Sequence, residues 1–498
     1  MSVTTISLTM SVSGYGYSSN YGNVSIHENT NLLIRVSPRC FPVVKKNDPK
    51  RQPRRPEDST FRQPVPSREI VIPVDLETYS KAIENNDQLR SLLADCYARH
   101  PECFPPEFEN GFGFKDFKYS KKMDLRIRRI RVGFGSEERF YRVVPCDVMP
   151  YMTAQVQEVE KALFLRKFNV PYWGLEHAFG RSSSFYWRIE KRMGMTSIAG
   201  TLTGEVEVEI KENKKTGTVE RSACECALPE DLACDEKHAK YLGEKAYVAM
   251  SAGGGCVLGA ELTEGCDKAS LAEGYGVLKE EIARAAPGHE IKSVNGDGYS
   301  STTAALRQVW GSSAVLITCI LHLYIALRDG CKRKYKEQFE GVADGFWYCF
   351  EAETKRSFVQ RWRAFIKTCV TEAADWLPEK MLGKLQRADE NKLSSYKAWY
   401  DRPQGHRVSV AVDRVMGSLD RRLFAMRHLR GHFVNSRLLI RAWAHLHNFA
   451  PWNPHTAKMK NARCPAEHLT KQRYRENWLE NFRVASSLAG YRYSPKTS

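Results

Sequence analysis

The chain has 498 residues, which is more than a single hydrophobic core usually serves, so the length predicts two or three domains. Hydrophobic residues make up 42% and charged residues 27% of the sequence, and these proportions exclude collagen-like, coiled-coil and wholly disordered proteins. The 75 lysines and arginines against 58 aspartates and glutamates give a formal net charge of +17. Such an excess favours a polyanionic partner, either a nucleic acid or an anionic membrane surface.

No membrane span, signal peptide or disulfide framework is predicted. The most apolar run, residues 313–327, is too short to cross a bilayer and contains His322. The N-terminus lacks a basic segment followed by an apolar core, which a signal peptide would need. The 14 cysteines form no Cys-x-x-Cys pair, which argues against a zinc ribbon and favours free thiols in a reducing compartment. We therefore expect a cytoplasmic protein that binds nucleic acid and no membrane.

Residues 1–70 are predicted to form a flexible basic N-terminal arm. Seven prolines and several lysines and arginines lie in residues 38–68, where proline opposes regular structure and the charge favours solvation. The alternative interpretation is a solubilising tail that has no target.

Residues 71–150 are predicted to form a small α/β module. Residues 125–132 alternate apolar with basic side chains, which predicts a strand that pairs with residues 140–144. One face of this hairpin is expected to be a cationic stripe that contacts DNA phosphates. The alternative is an exposed strand whose arginines protect a sheet edge. The arginines proposed to bind DNA are Arg126, Arg128 and Arg129.

Residues 151–204 predict a helix-turn-helix within a mostly helical DNA-binding region. Helices are predicted over 172–179 and 185–193, with a break at Gly180. A short helix, a glycine-containing turn and a basic second helix are the outline of this DNA-binding motif. A compact bundle of three packed helices shares the same pattern and is the alternative. The basic residues of the second helix are Arg188, Lys191 and Arg192.

From residue 205 the sequence predicts strands that alternate with helices. Strands are expected over 205–210, 232–235, 247–250 and 256–260, then helix 269–285, strand 291–294, helix 302–310 and strand 314–319. The three strands from 232 to 260, followed by helix, strand, helix and strand, have the order of the ribonuclease H-like fold, so residues 232–235 are its first strand and residues 291–294 its fourth. The predicted core is therefore α/β, and its first part spans residues 205–330.

Two aspartates are the candidate metal ligands of this core. Asp235 is expected to end the first core strand, and Asp297 follows the fourth between two glycines. Sites in open α/β sheets form beyond the carboxyl ends of strands, where carboxylates can bind hard cations such as Mg²⁺. Two ions about 3.5–4 Å apart can support an in-line phosphoryl transfer. Either aspartate alone is more typical of a turn or a helix cap.

Short motifs in a fixed order extend this interpretation. They are residues 234–238 (Cys-Asp-Glu-Lys-His), residues 294–298 (Val-Asn-Gly-Asp-Gly), Cys319 with His322, and residues 400–414. They resemble the first-acid strand, the second-acid strand, the Cys-x-x-His element and the third-acid helix of bacterial DDE-type transposases, Mutator-like or related. That family's third-acid helix usually has Ser-Asn-x-x-acid-Arg, whereas this chain has Val410 in the place of Asn. The resemblance covers roughly residues 100–485.

The resemblance implies a DNA transposase that cleaves element ends and joins a 3′-hydroxyl to target DNA. Its partner would be double-stranded DNA, on which it would act as a homo-oligomer in the bacterial cytoplasm, associated with the nucleoid. Two Mg²⁺ or Mn²⁺ ions would be held by the catalytic residues Asp235, Asp297 and Asp413. Asp420 is the alternative third acid.

Two histidines and two other functions remain open alternatives. His322 would lie beside the active site or be a core histidine, and His238 would approach the scissile phosphate or cap local structure. A related metal-dependent nuclease would use the same chemistry. A host-adopted DNA-binding protein could have kept the transposase fold without transposition.

The last third of the chain is predicted to be helical and basic. Residues 331–400 are expected to form a helical insertion in the ribonuclease H-like core, and residues 401–498 the last catalytic helix and the C-terminal region. Aromatic residues of the insertion could stack on unpaired nucleotides, although aromatics at helical spacing are more often core. A solvated basic face on DNA is expected after residue 413. Its arginines include Arg414, Arg421, Arg422 and Arg441.

Overall fold

The computed structural model describes residues 64–121, 124–135, 138–149, 154–207, 224–311, 313–331, 335–373, 375–426, 429–489 and 491–493. Nearly all of the predicted basic arm at 1–70 therefore lies outside the described residues. The strand predicted over 205–210 is confirmed for Glu205–Glu207, and its remainder also lies outside them.

The described chain combines strands with helices, and a long run of helices follows residue 319. The strands are β1 (Pro64–Pro66), β2 (Glu69–Ile72), β3 (Phe112–Ser120), β4 (Leu125–Val132), β5 (Arg139–Pro145), β6 (Glu205–Glu207), β7 (Cys224–Cys226), β8 (Asp231–Tyr241), β9 (Glu244–Gly253), β10 (Cys256–Thr263), β11 (Ser293–Gly296), β12 (Val315–Thr318) and β13 (Tyr491–Tyr493). The helices are α1 (Leu76–Ile83), α2 (Asn86–Arg99), α3 (Val156–Lys167), α4 (Tyr172–Phe179), α5 (Ser183–Met193), α6 (Lys268–Ala285), α7 (Ser300–Trp310), α8 (Ile320–Cys331), α9 (Lys336–Phe350), α10 (Lys355–Thr371), α11 (Glu379–Lys397), α12 (Val410–Met426), α13 (Phe433–Phe449), α14 (Pro454–Lys460), α15 (Pro465–Thr470) and α16 (Trp478–Ala485).

Four strands form an N-terminal sheet in the order β2-β5-β4-β3. β4 and β5 pair antiparallel, with Arg128 opposite Val143, which confirms the predicted hairpin. Ile130 and Val143 are buried in one core with Tyr79 of α1 and Leu89 of α2. The two helices therefore cover one face of this sheet.

The cationic stripe predicted on one face of the hairpin is wrong. Successive side chains of a strand point to opposite faces, and the alternation in β4 breaks at the adjacent pair Arg128 and Arg129. Arg126 and Arg128 share the face of the buried Ile130, whereas Arg129 lies on the other face. Arg128 is only 7% exposed, and its guanidinium lies 4.4 Å from the ring centroid of Phe114. Arg128 is therefore a packed side chain.

Five strands form the central sheet in the order β10-β9-β8-β11-β12. β10, β9 and β8 are antiparallel to one another, whereas β8, β11 and β12 run parallel. Along the chain, the elements β8, β9, β10, α6, β11, α7 and β12 confirm the predicted order of three strands, helix, strand, helix and strand. The core is therefore α/β with a mixed sheet.

The position predicted for Asp235, at the end of its strand, is wrong. β8 continues to Tyr241 because its charged second half pairs with the start of β9, from Glu236 opposite Ala249 to Tyr241 opposite Glu244. Asp235 therefore lies in the middle of β8, level with the end of the shorter parallel strand β11.

Helices pack on both faces of the central sheet. Leu232 and Cys234 of β8 belong to a core shared with α6 and α7, whereas Ala233 and Ala239 belong to a core shared with α12. Because alternate residues of a strand face opposite sides, Asp235 points toward the α12 side and Glu236 toward the α7 side.

The predicted insertion is confirmed as helical by α9, α10 and α11. Together with α8 these helices enclose a core of their own, in which Phe346, Trp362 and Leu385 are fully buried. Trp362 is therefore a core residue, whereas Tyr348 is exposed.

Helices α4 and α5 confirm the two helices predicted on either side of Gly180, which adopts a left-handed conformation. The inner face of α5 packs against the rest of the chain. Its residue Glu190 is fully buried and accepts hydrogen bonds from Arg166 of α3 and Arg422 of α12.

The solvated basic face predicted after residue 413 is wrong for two arginines. Arg422 is buried against Glu190, and Arg441 is buried against Glu261 of β10 and Glu281 of α6. Burial of a cation is strongly unfavourable unless a carboxylate pairs with it, so these arginines connect elements of the core. Arg414 and Arg421 are exposed, as predicted.

Residues Arg62–Ser498 form one compact unit. The C-terminal segment contributes to the N-terminal sheet, because Val484 of α16 lies in its core. β13 also pairs with β1. Among the described helices, none combines the length and the apolar character that a bilayer crossing requires.

Candidate metal centre

The central sheet brings Asp235 and Asp297 together. Asn295 of β11 lies opposite Ala233 of β8 in a parallel pairing, and two further residues along each strand place Asp297 beside Asp235. The next strand ends at the same level, where the Cys319 amide donates to the Gly296 carbonyl at 2.7 Å. Asp235 and Asp297, which the sequence predicts as ligands of one metal centre, therefore lie side by side, Asp235 within β8 and Asp297 directly after β11.

Glu236 joins the two aspartates in one acidic cluster. Carboxylate oxygens of Asp235, Glu236 and Asp297 all lie within 4.8 Å of one another. Thr302 of α7 donates to Glu236 Oε2 at 2.7 Å, and the Tyr299 amide donates to Asp297 Oδ1 at 2.7 Å. These hydrogen bonds fix two of the carboxylates before any cation binds.

Glu236 directly follows Asp235 and was not among the predicted site residues. Neighbouring strand residues point to opposite faces, which normally separates their side chains. Here β8 extends past the end of β11, so both carboxylates can turn toward Asp297 at the sheet edge. An acid directly next to a candidate ligand is the pattern in the sequence that points to such a residue.

Burial and the neighbouring carboxylates disfavour the ionised form of two acids in the cluster. Burial raises the pKa of Asp235 to about 7, and the charges of Asp297 and Glu236 add to this effect. Burial also raises the pKa of Glu236. Three converging carboxylates suit a hard divalent cation, because such ions prefer oxygen ligands and restore the ionised form. The donor set therefore fits Mg²⁺ or Mn²⁺.

His322 and Cys319 lie beside this cluster. A hydrogen bond that the imidazole donates to Cys319 raises the pKa of His322 to about 9 against the effect of burial, and the charges of Cys319, Asp235 and Asp297 act in the same direction. Burial alone would raise the pKa of Cys319, but hydrogen bonds with His322 and Ser409 outweigh it and lower that pKa. His322 therefore places positive charge near the acids.

The predicted third acid, Asp413, opens α12 but lies outside the acidic cluster. Ser409 donates to Asp413 Oδ2 at 2.9 Å, and the Ser409 amide donates to Cys319 Sγ at 3.2 Å. These contacts attach the start of α12 to the end of β12. The alternative acid, Asp420, forms an ion pair of 2.7 Å with Lys237.

The segment before α12 runs along the central sheet toward the end that carries the acidic cluster. Arg402 bonds Asp231 at the start of β8, with Nε at 3.0 Å from Oδ1. Asn295 Nδ2 then donates to the His406 carbonyl at 2.9 Å. Ser409 contacts Cys319, which directly follows β12. Residues 402–409 therefore bring the start of α12, with Asp413, to the end of the sheet where Asp297 lies, although Asp413 is more than a hundred residues further along the chain.

His238 lies away from Asp235. Alternation along β8 places it on the face of Glu236, where its ring centroid is 4.9 Å from that of Tyr247. It is exposed and lies two residues beyond Glu236.

The proposed DNA-contacting residues are dispersed over the surface and the core. Arg126 is half exposed and lies 3.4 Å from Glu84, while Arg129 forms a bidentate pair with Asp116. On α5, Arg188 is exposed, and the ammonium of Lys191 lies 4.5 Å from the ring centroid of Trp187. Arg192 on the same helix is half-buried.

No protein-family model and no curated protein matches the chain.

Proposed function

We propose that this chain is a DDE-type DNA transposase with a ribonuclease H-like core, which cleaves DNA at element ends and transfers the resulting strand. The observation that carries the proposal is the convergence of Asp235, Glu236 and Asp297 at the carboxyl edge of β11. The order of strands and helices from β8 to β12 is the order of that fold and supports the same conclusion.

The chain's own residues account for how such a site would operate. When bound, divalent cations such as Mg²⁺ or Mn²⁺ supply Lewis acidity to the attacking and leaving oxygens of a phosphoryl transfer. Asp235, Glu236 and Asp297 would hold them, and Thr302 keeps Glu236 oriented through its hydroxyl hydrogen bond. The protonated imidazole of His322 offsets part of the carboxylate charge, which eases the approach of an anionic phosphate.

The charge balance supports double-stranded DNA as the substrate. The net charge of +17 favours a polyanion, and exposed arginines are available on β4, α5 and α12. The proposal assigns phosphate contacts to Arg126, Arg188, Arg414 and Arg421. By resemblance to DDE-type transposases, we further propose a homo-oligomer that assembles on the DNA ends.

Cleavage of duplexes taken from the DNA that flanks the coding sequence tests the proposal. The purified full chain is expected to cut them only with Mg²⁺ or Mn²⁺. Asp235→Asn or Asp297→Asn should lower the rate about a hundredfold or more while DNA binding persists, since each removes a direct cation ligand. Equal cleavage by wild type and both variants would contradict the assignment.

The same assay decides the third acid. Asp413→Ala is expected to abolish end cleavage, whereas Asp420→Ala should cost much less because Asp420 is engaged with Lys237. Cleavage that survives in Asp413→Ala but fails in Asp420→Ala would transfer the role to Asp420. Cleavage that survives in both would show that Glu236 and the two aspartates suffice.

A metal-dependent nuclease is the second candidate, because Asp413 lies outside the three-carboxylate cluster. Both candidates cleave DNA, but only a transposase joins the released 3′-hydroxyl to a second duplex. A labelled target duplex added to the cleavage reaction separates them: joined products support the transposase, and hydrolysis alone supports the nuclease.

A further inference from the structure

The last helix of the insertion is attached to the edge that carries the acidic cluster. Thr318, the final residue of β12, donates to Ser395 Oγ of α11 at 2.7 Å, and Ser395 Oγ donates to the Lys392 carbonyl at 2.8 Å. Thr318 lies opposite Gly296 in the sheet, one residue before Asp297. The turn of α11 that contains Lys392 is therefore fixed next to the candidate metal centre.

The side chain of Lys392 reaches the loop that directly follows Asp297. A Cβ placed on Gly298 would lie 2.7 Å from Lys392 Nζ and equally close to Thr318 Cγ2. Gly298 also has a φ of +80°, which side-chain-bearing residues rarely adopt. Glycine at this position allows the ammonium to approach the acidic edge.

Lys392 lacks the carboxylate partner that the buried Arg422 and Arg441 have. Arg422 and Arg441 each bond buried glutamates, whereas the Lys392 ammonium forms no ion pair among the described residues. Burial lowers the pKa of Lys392, and the charge of Asp297 opposes that effect without direct contact. A half-buried cation without a partner is costly unless an anion binds to it.

We propose that Lys392 binds a phosphate oxygen of the DNA backbone at the acidic cluster, so that the helical insertion supplies a substrate-binding residue. This inference rests on the proposed function. The three carboxylates repel a phosphate of the DNA backbone. The Lys392 ammonium next to them attracts this phosphate and so offsets the repulsion at the candidate metal centre. The insertion then acts on the substrate directly, in addition to covering the core.

The test compares Lys392→Gln and Lys392→Arg with a matched control, Lys380→Gln, on the same helix. Lys380 is exposed and lies three turns before Lys392. Lys392→Gln is expected to slow cleavage about 10- to 100-fold and to lower the log–log salt slope of DNA binding by about one. Lys392→Arg should restore most of both, and Lys380→Gln should change neither. Lys392→Met, which keeps the aliphatic stem, replaces the Gln variant if thermal unfolding shows that the latter is misfolded.

Failure of this inference is distinguishable from failure of the proposed function. If wild type cleaves DNA and Lys392→Gln cleaves equally well, or Arg fails to restore activity in a folded variant, Lys392 does not bind the phosphate. If wild type cleaves no DNA, the proposed function fails, and the salt slope alone decides the role of Lys392. An unchanged slope in Lys392→Gln would then overturn this inference also.

Discussion

Asp235 illustrates how neighbouring residues determine the protonation of a single side chain. Its carboxyl is partly buried between Asp297 and Glu236, which raises its pKa from 3.8 to about 7. Between these two values the folded chain binds a proton that the unfolded chain releases, so folding stability falls as the pH rises through this window. A divalent cation would offset that loss, because it binds the ionised form and stabilises the folded state.

Asp235→Asn is therefore expected to be more stable than wild type at pH 8, and by a smaller margin at pH 5. The margin should grow by about 1–3 kcal/mol between pH 5 and pH 8, since each unit of pKa shift corresponds to about 1.4 kcal/mol. Chemical unfolding with a chelator at both pH values measures it. If the free energy of unfolding changed between pH 5 and pH 8 by the same amount in the variant as in wild type, the pKa of Asp235 would not be raised in the folded chain.

At the scale of elements, buried ion pairs determine where α12 lies. Arg422 of α12 and Arg166 of α3 both bond Glu190 of α5, and all three side chains are buried. Removal of one partner would leave a buried charge unpaired. The loss of folding free energy would then exceed the net free energy that the ion pair contributes. The helix that carries Asp413 is thus joined to the predicted helix-turn-helix segment.

Glu190→Gln is expected to lower the free energy of unfolding by about 3–5 kcal/mol. Glu158→Gln is the matched control, because Glu158 pairs with Arg181 at 2.8 Å on an exposed surface and should cost at most about 1 kcal/mol. Denaturant unfolding of both variants gives the comparison. Equal effects of the two substitutions would show that the buried pairs do not hold α12 and α5 together.

At the scale of the whole chain, sequence patterns predicted the helices and strands better than the tertiary contacts of individual side chains. Alternation and spacing predicted the order of strands and helices along the chain, and the ribonuclease H-like order implied that Asp235 and Asp297 would serve one site. Glu236 and Lys392 were not predicted, since their roles depend on where β11 ends and where α11 packs. Arg422 and Arg441 were wrongly predicted to be solvated for a related reason. The sequence does not show that a glutamate far along the chain forms a buried ion pair with each of them.

Cation binding by the whole chain tests the central claim most directly. Calorimetric titration with Mn²⁺ should show binding to wild type that weakens strongly in Glu236→Gln and Asp297→Asn. Even the loss of an outer-shell partner costs about 10- to 100-fold in metal affinity, and the loss of a direct carboxylate ligand should cost at least as much. Asp420→Asn, outside the cluster, should bind as wild type does. Undiminished Mn²⁺ binding in both cluster variants, or no binding by wild type, would contradict the account.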